Sequence, residues 1–402
     1  MDHIAVVGAG QAGASTVETL RKEGFEGRIT LWGAEAEVPY QRPPLSKAYL
    51  LGEMERERLF LRPPSFYDDQ KIDLRLGVEI TGIDGAARTL THAGGSEAWD
   101  ALVLTTGSTA RRLPGAIGGD LDGVFSVRAL ADIDQMEPAF APGAHLLVVG
   151  GGYIGLEAAA VARKRGMRVT LLEAAPRILA RVASAETAAW IAAKHRAEGV
   201  EIIEGAALER LLGTDRVTGA QLADGTEIAV DAVVVGIGVT PNTALAEAAG
   251  ASLDNGIAVD THGQTDVPGI WAAGDCCSFP QGDVRLRLES VPHAIDQAQA
   301  VARNILGANV AYTAKPWFWS DQYDVKLQIA GLNAGFETVV VRDGSDTGEG
   351  LSHWYYAGDQ LLSVDALNAP RAYMVGKRLI EAGRSPDPAA VADAATPIKA
   401  LM

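Results

Sequence analysis

Cysteine is nearly absent. The 402 residues hold two, the neighbours Cys276 and Cys277. Adjacent cysteines rarely bridge each other, so no disulfide framework is expected and the reducing cytoplasm is the expected compartment. Both are read as small buried hydrophobes. Positive charge is also scarce: 35 Lys and Arg stand against 51 Asp and Glu, a net charge of −16. With no Lys- or Arg-rich run, the chain has no basic face to neutralise phosphates, which excludes nucleic acid as a partner. The apolar runs stop well short of the ~18 residues that a transmembrane helix requires, so no membrane association is expected. Met1-Asp2-His3-Ile4 enters a strand-like run at once, leaving no room for a signal or transit peptide. The seven histidines are scattered without ligand spacing, and no metal site is expected.

Glycine, by contrast, is abundant at 45 residues, and 48% of the chain is apolar. These are the proportions of an α/β protein with many tight turns and two or three cores. Two glycine fingerprints stand out. Gly8-Ala9-Gly10-Gln11-Ala12-Gly13 and Gly150-Gly151-Gly152-Tyr153-Ile154-Gly155 lie 142 positions apart. Each follows an apolar run, Ile4 to Val7 or Leu146 to Val149, and opens a helix-like run that ends near a glycine, Gly24 or Gly166, also 142 apart. In such a unit the strand delivers the chain to a tight turn, and the second glycine lets backbone approach a pyrophosphate. The helix N-terminus then offers unpaired N–H groups to the phosphates. Two such loops imply two dinucleotides, and the natural pair is a flavin and a nicotinamide. Gly8, Gly10, Gln11, Ala12 and Gly13 are assigned to FAD, bound non-covalently. Gly150, Gly152, Tyr153, Ile154 and Gly155 are assigned to NAD.

The strand after the second unit ends at Glu173, 21 positions beyond Gly152. A carboxylate there accepts from ribose hydroxyls and repels a 2′-phosphate, which favours NADH over NADPH; Arg177, four positions on, could attract a phosphate. In the first unit Gly33 stands at that point. Glu35 is therefore expected at the flavin-side ribose, with a solvated loop glutamate as the alternative.

The expected fold class is α/β: two Rossmann-like nucleotide-binding domains with a smaller α+β domain at the C-terminus. The FAD-binding domain is expected over 1–108 and 241–315, the NAD-binding domain over 109–240 and the C-terminal domain over 316–402. Helices are predicted over Tyr153 to Arg165, Ala185 to Glu198, Ala294 to Leu306 and Ala372 to Ala382. Short strands are predicted over Lys326 to Ile329, Glu337 to Val341, Leu351 to Tyr356 and Gln360 to Leu367. No element is predicted after Pro386.

At full length this pattern resembles the FAD-dependent pyridine-nucleotide disulfide-reductase superfamily, glutathione-reductase-like in fold. More narrowly it resembles the ferredoxin reductase branch that serves cytochrome P-450 and aromatic-ring dioxygenase systems. Three further segments carry the likeness: Pro39-Tyr40-Gln41-Arg42-Pro43-Pro44-Leu45-Ser46-Lys47, Thr265 to Gly274-Asp275, and Pro316-Trp317-Phe318-Trp319-Ser320-Asp321-Gln322. The resemblance implies that Lys47 reaches the flavin near N5 and that Glu157 faces the nicotinamide amide and pairs with Lys47. It implies flavin contacts for Thr106, Gly107, Val291 and Pro292. Other readings stay open: Lys47 as a salt-bridged surface lysine, Trp319 beside the isoalloxazine or in the core, and Asp275 as a ribitol ligand or a helix cap. Arg42 suits a pyrophosphate. Glu157 is a polar residue in an apolar run, which itself points to a buried partner.

Disulfide reductases of the superfamily need a cysteine pair beside the flavin, and this chain has none there. Electrons are therefore expected to leave one at a time for a small acidic 2Fe-2S ferredoxin that feeds a P-450 or a Rieske oxygenase. A basic patch of Lys315, Lys326, Arg371, Lys377 and Arg378 would guide it. An NADH oxidase, a rubredoxin reductase and an apoptosis-inducing-factor-like scaffold are the alternatives.

Overall fold

The computed structural model describes residues 1–402, apart from the side chain of residue 347. The chain forms two compact units. Met1–Gln41, Glu55–Thr109 and Val239–Pro316 make the first; Arg42–Met54, Ala110–Gly238 and Trp317–Met402 make the second. This division differs from the three expected domains in two ways. Residues 42–54 pack with the second unit, and the C-terminal segment shares that unit with 110–238.

The first unit is built on a five-stranded parallel sheet in the order Ile270–Ala272, Ala101–Leu104, His3–Val7, Arg28–Gly33, Ile72–Leu76. Ile4 and Val6 pack under the helices Gln11–Lys22 and Val291–Ile305, against Val17, Leu20, Ala298 and Val301. On the opposite face, Ala5, Val7, Leu102 and Leu104 join a second core with Ile83, Leu90 and Phe279. Because both faces are covered, the strand reads as a continuous apolar run rather than an alternating one. The helix Val291–Ile305 starts three residues before its predicted onset, since Ser290 caps it by accepting from the His293 N–H at 3.3 Å. Cys276 and Cys277 are fully buried in the second of these cores.

The second unit repeats the plan, with parallel strands in the order Val200–Glu204, Arg168–Glu173, His145–Val149, Ala232–Val235, Val124–Ser126. The repetition extends to side chains. His3 Nε2 meets Thr30 Oγ1 at 2.9 Å, and His145 Nε2 meets Thr170 Oγ1 at 2.9 Å. Asp100 Oδ2 accepts from the His3 N–H at 2.9 Å, and Asp231 Oδ2 accepts from the His145 N–H at 2.8 Å. Arg21 and Arg163 each reach past the end of their helix to a carbonyl four residues on, Phe25 or Met167. The glycines between, Gly24 and Gly166, hold φ of 87° and 79°, the left-handed conformation that ends such helices.

The C-terminal part of the second unit is an antiparallel sheet in the order Trp317–Gln322, Val325–Gly331, Gln360–Leu367, Gly350–Ala357, Thr338–Gly344, backed by the helix Pro370–Glu381. The edge strand Trp317–Gln322 is additional to the four predicted, because three consecutive aromatics hide its alternation. The tail after Pro386 is also structured. It forms the short helix Pro388–Ala392 and a final turn Ile398–Leu401, whose Val391, Ile398 and Leu401 are buried in the same core. Arg342, 3% exposed, holds it down by donating to the carbonyls of Val391 (3.2 Å), Asp393 (2.8 Å) and Thr396 (2.7 Å).

Against the helix Ala185–Ala197 the sheet buries Asp365, which accepts from Tyr355 Oη and from Thr187 Oγ1, the latter at 2.8 Å. His353 Nδ1 also meets Thr187 Oγ1 at 2.7 Å. Among the described residues Asp365 Oδ1 has no hydrogen-bond partner. Burial pushes the Asp365 carboxyl up to about 6 from 3.8.

Two outcomes follow for stability. Arg342→Met leaves three carbonyls of the tail, that of Val391 buried, without their donor and should cost about 2–4 kcal/mol, read as a lower melting temperature with early proteolysis of the tail. A carboxyl raised in the folded state contributes stability that is present below pH 4 and lost as pH rises through 6. Relative to Asp365→Asn, the wild-type chain should therefore lose on the order of 3 kcal/mol across that interval in denaturant titrations. Burial brings the neighbouring His353 ring down to about 4, so its own titration runs the opposite way, and His353→Gln in both proteins removes it from the comparison.

Candidate active site

Both fingerprints form the cradle that their sequence implies. At the first, a Cβ on Gly13 would stand 2.0 Å from the Gly8 carbonyl oxygen, and one on Gly8 would stand 2.2 Å from the Thr105 carbonyl oxygen. At the second, Gly155 and Gly150 give 2.2 Å, and Gly150 and Gly236 give 2.5 Å. Side chains at these glycines are impossible, so each helix begins directly against its strand. The space beyond Gly10 is open to 4 Å among the described residues, and that beyond Gly152 meets only the Gly236 carbonyl at 4.0 Å. Gly10 and Gly152 are the N-caps, and neither helix has a side-chain cap among the described residues, whereas Ser184 and Ser290 cap theirs. Open space in front of uncapped first-turn N–H groups fits a pyrophosphate at each site.

Around the first cradle, Gln11 and Ala12 open the helix, and Ala12 Cβ lies 3.1 Å from where a Gly274 Cβ would be. Thr106 Oγ1 donates to the Asn242 carbonyl at 2.6 Å. In return, Asn242 Nδ2 donates to the Thr106 carbonyl at 2.9 Å, and the Asn242 N–H donates to Gly107 at 3.0 Å. Asp275 Oδ2 accepts from Ser108 Oγ at 3.1 Å. Gln297 Oε1 takes the Gly274 N–H at 2.8 Å and so fixes the turn that presents Asp275. Val291 and Pro292 form the first turn of their helix rather than the segment before it. Glu35 accepts from Tyr40 Oη at 2.5 Å, which ties its loop to the proline-rich segment.

At the second cradle, Glu173 is aimed by backbone. Its Oε2 accepts from the Gly151 N–H and its Oε1 from the Ala175 N–H, both at 2.7 Å. The carboxylate therefore sits against the glycine loop with lone pairs left for ribose hydroxyls. Arg177 turns to the carbonyls of Ile178 and Ala183, the latter at 2.8 Å, and its guanidinium is occupied there. Tyr153 packs on Phe318 with ring centroids 5.0 Å apart, and Ile154 is 40% exposed.

One turn into the second helix, Glu157 is 4% exposed and fully engaged. Lys47 Nζ lies 2.6 Å from its Oε2, Ser46 Oγ donates to the same oxygen at 2.7 Å, and Ser320 Oγ donates to Oε1 at 2.7 Å. The short helical turn Pro43–Ser46 places Ser46 and Lys47, and its prolines preset the backbone. The strand Trp317–Gln322 delivers Ser320. The pairing of Lys47 with Glu157 is thus present in the structure. Arg42, at the start of the same turn, donates to the Arg128 carbonyl at 2.6 Å. Trp319 lies half-buried, with its ring 5.6 Å from Trp317.

Ser46, Ser320 and Asn242 were not singled out from sequence. A serine or asparagine gives no signal until the fold shows what it faces. Only the position of Ser46 beside Lys47, and of Ser320 in the aromatic run, hinted at either. The proposed basic patch is partly neutralised: Lys377 pairs with Glu381 at 2.8 Å, and Arg371 approaches Glu349 at 3.6 Å.

The sequence profile of the pyridine nucleotide-disulphide oxidoreductase family matches residues 2–298, and that of a reductase C-terminal domain matches 317–402. The chain is 43% identical to a ferredoxin–NAD(P)(+) reductase of a Sphingomonas species, over 99% of this chain and 97% of that protein. It is 39% identical to putidaredoxin reductase of Pseudomonas putida, over 100% and 97%. The crystal structure of a covalent putidaredoxin reductase–putidaredoxin complex superposes with a TM-score of 0.96 at 38% identity, covering 100% of this chain and 98% of that one. Two glycine cradles, an uncapped helix at each, and a profile match across nearly the whole length have one common reading: the chain is a member of the pyridine nucleotide-disulphide oxidoreductase family that carries the reductase C-terminal domain.

Proposed function

We propose that this chain is an NADH-dependent ferredoxin reductase. The observation that carries the reading is that the chain holds two dinucleotide cradles and a buried Lys47–Glu157 pair, while its two cysteines are both fully buried. Both cysteines lie in a core of the first unit, and burial pushes their thiols up, so neither is suited to take electrons. When bound, FAD and NADH supply the chemistry, in which two electrons arrive as a hydride and depart singly to an external 2Fe-2S ferredoxin. The protein's part is alignment and charge. In this reading the first fingerprint, Thr106, Gly107, Asp275 and the first turn at Val291 and Pro292 hold FAD, with Glu35 on its ribose and Arg42 on its pyrophosphate. The second fingerprint and Glu173 hold NADH. Lys47, held by Glu157, places an ammonium where negative charge develops, and Glu157 orients the nicotinamide amide. Trp319 packs beside the flavin. The ferredoxin in turn supplies a P-450 monooxygenase or a Rieske dioxygenase, and the cytoplasm keeps the two free thiols reduced.

Purified protein should be yellow, bleach anaerobically on NADH addition, and reduce cytochrome c only when a 2Fe-2S ferredoxin is present. Fast oxygen consumption without ferredoxin would instead identify an oxidase. NADH should be preferred over NADPH in kcat/KM, and Glu173→Gln should narrow the ratio about tenfold by removing repulsion of the 2′-phosphate. Equal turnover with both nucleotides in the unmodified protein would remove that role from Glu173.

A further inference from the structure

Past Glu157, buried polar side chains of the second unit continue in a single line. Gln322 Nε2 donates to Ser320 Oγ at 3.0 Å. His195 Nε2 lies 2.7 Å from Gln322 Oε1, and Tyr323 Oη lies 3.3 Å from His195 Nδ1. Ser320, Gln322 and His195 are all buried. They come from two separate elements, the edge strand Trp317–Gln322 and the helix Ala185–Ala197.

The line has a direction, set from the histidine end. A carbonyl oxygen only accepts, so the proton of a neutral His195 sits on Nε2. Burial brings that ring down to about 4, which keeps it neutral, and its Nδ1 accepts from Tyr323. With Oε1 thus engaged, the Gln322 amide nitrogen faces Ser320. Ser320 accepts there, and its one proton goes to Glu157 Oε1. The reverse orientation would give the serine two acceptors for a single proton and leave a buried oxygen without a donor, a costly defect.

We propose that Gln322 and His195 are positioning residues for Glu157: they lock the Ser320 hydroxyl as a donor to its carboxylate, and so fix the acid that holds Lys47. The inference rests on the reductase reading above. Several charged groups surround the line, among them Lys164, whose Nζ donates to the Tyr323 carbonyl at 3.4 Å. Lys47 faces Glu157 from the proline-rich turn. Lys194 and Glu198, on the histidine's own helix, pair at 2.8 Å, and Lys194 also reaches Asp324 at 2.6 Å. Glu198 and, with the opposite sign, Arg163 on the second fingerprint helix act on Tyr323.

The test is anaerobic stopped-flow bleaching of the flavin-loaded enzyme by NADH, with melting temperatures measured in parallel. Gln322→Glu keeps the side chain's shape but sets a second carboxylate against the Ser320 proton, and should slow bleaching about tenfold or more. Gln322→Met removes both bonds without reversing either and should slow it less. A purely structural role predicts no slowing at temperatures well below each variant's melting transition, where the variants remain folded. Ser320→Ala should reproduce the slow phase, and the Gln322→Glu/Ser320→Ala double variant should be no slower than Ser320→Ala alone. The alanine variant keeps the test usable if the buried glutamate unfolds the protein. A wild-type enzyme that bleaches while Gln322→Glu matches it, or additive effects in the double variant, overturns the positioning role. A wild-type enzyme that does not bleach overturns the reductase reading, and this inference with it.

Discussion

Everything in this chain depends on how closely two helices approach the turns that precede them. At Gly13 and Gly155 the helix backbone lies so near the carbonyl of the first fingerprint glycine that a methyl group would be 2.0 or 2.2 Å from it. Only glycine permits this, and the contact directs the first-turn N–H groups forward rather than into the strand. The neighbouring strands tighten the arrangement. Thr105 donates through Oγ1 to the Gly8 carbonyl at 2.8 Å, and the Gly236 N–H donates to Val149 at 2.8 Å. A helix start fixed this firmly presents its partial positive charge as a permanent feature of the fold, so no ordering cost falls on the arrival of a phosphate.

The same physics explains what could be read from sequence. Glycines at a fixed spacing after an apolar run have one economical explanation, and Gly8 and Gly150, at φ 114° and 105°, adopt the conformation that spacing demands. Glu173 was legible because a strand ends there. The duplicated His–Thr and Asp pairs were not, since His3, Thr30, His145 and Thr170 look unremarkable until parallel strands lie side by side. Nor was the fate of residues 42–54, because a short proline-rich excursion carries no mark of the unit it will join. The tail shows the opposite failure. Its Ala- and Pro-rich composition signals no structure, yet three apolar residues and one buried arginine on a distant strand are enough to dock it. Composition describes what a segment can do alone, and docking depends on what lies opposite.

Glu173 illustrates how selectivity is built from backbone. A flexible glutamate could turn away from a phosphate at little cost, retaining rotamer freedom worth ~1–2 kcal/mol. Two N–H groups, from Gly151 and Ala175, hold both oxygens against the glycine loop. The turn that forms the second glycine loop therefore also aims the carboxylate proposed to inspect the ribose. Arg177, four positions on, turns its donors to its own loop.

The Lys47–Glu157 pair makes little sense as a stabilising device. Removing two charges from water costs several kcal/mol per ion, and such pairs are often matched or surpassed by well-packed apolar residues. Three donors on one carboxylate offset that cost without reversing it, each worth ~1.5–3 kcal/mol as a hydrogen bond to a charged group. The chain nevertheless commits a turn, a helix, a strand and a line of buried polar groups reaching to His195 to holding this one acid. Isolated buried polarity is what folding removes first, so its retention here locates the demand elsewhere. Lys47 remains 19% exposed at its side chain while its partner is closed in. At the carboxylate's own end the cluster thus opens through a cation. In the reductase reading, an enclosed anion beside an accessible cation is what stabilising negative charge on a bound cofactor requires.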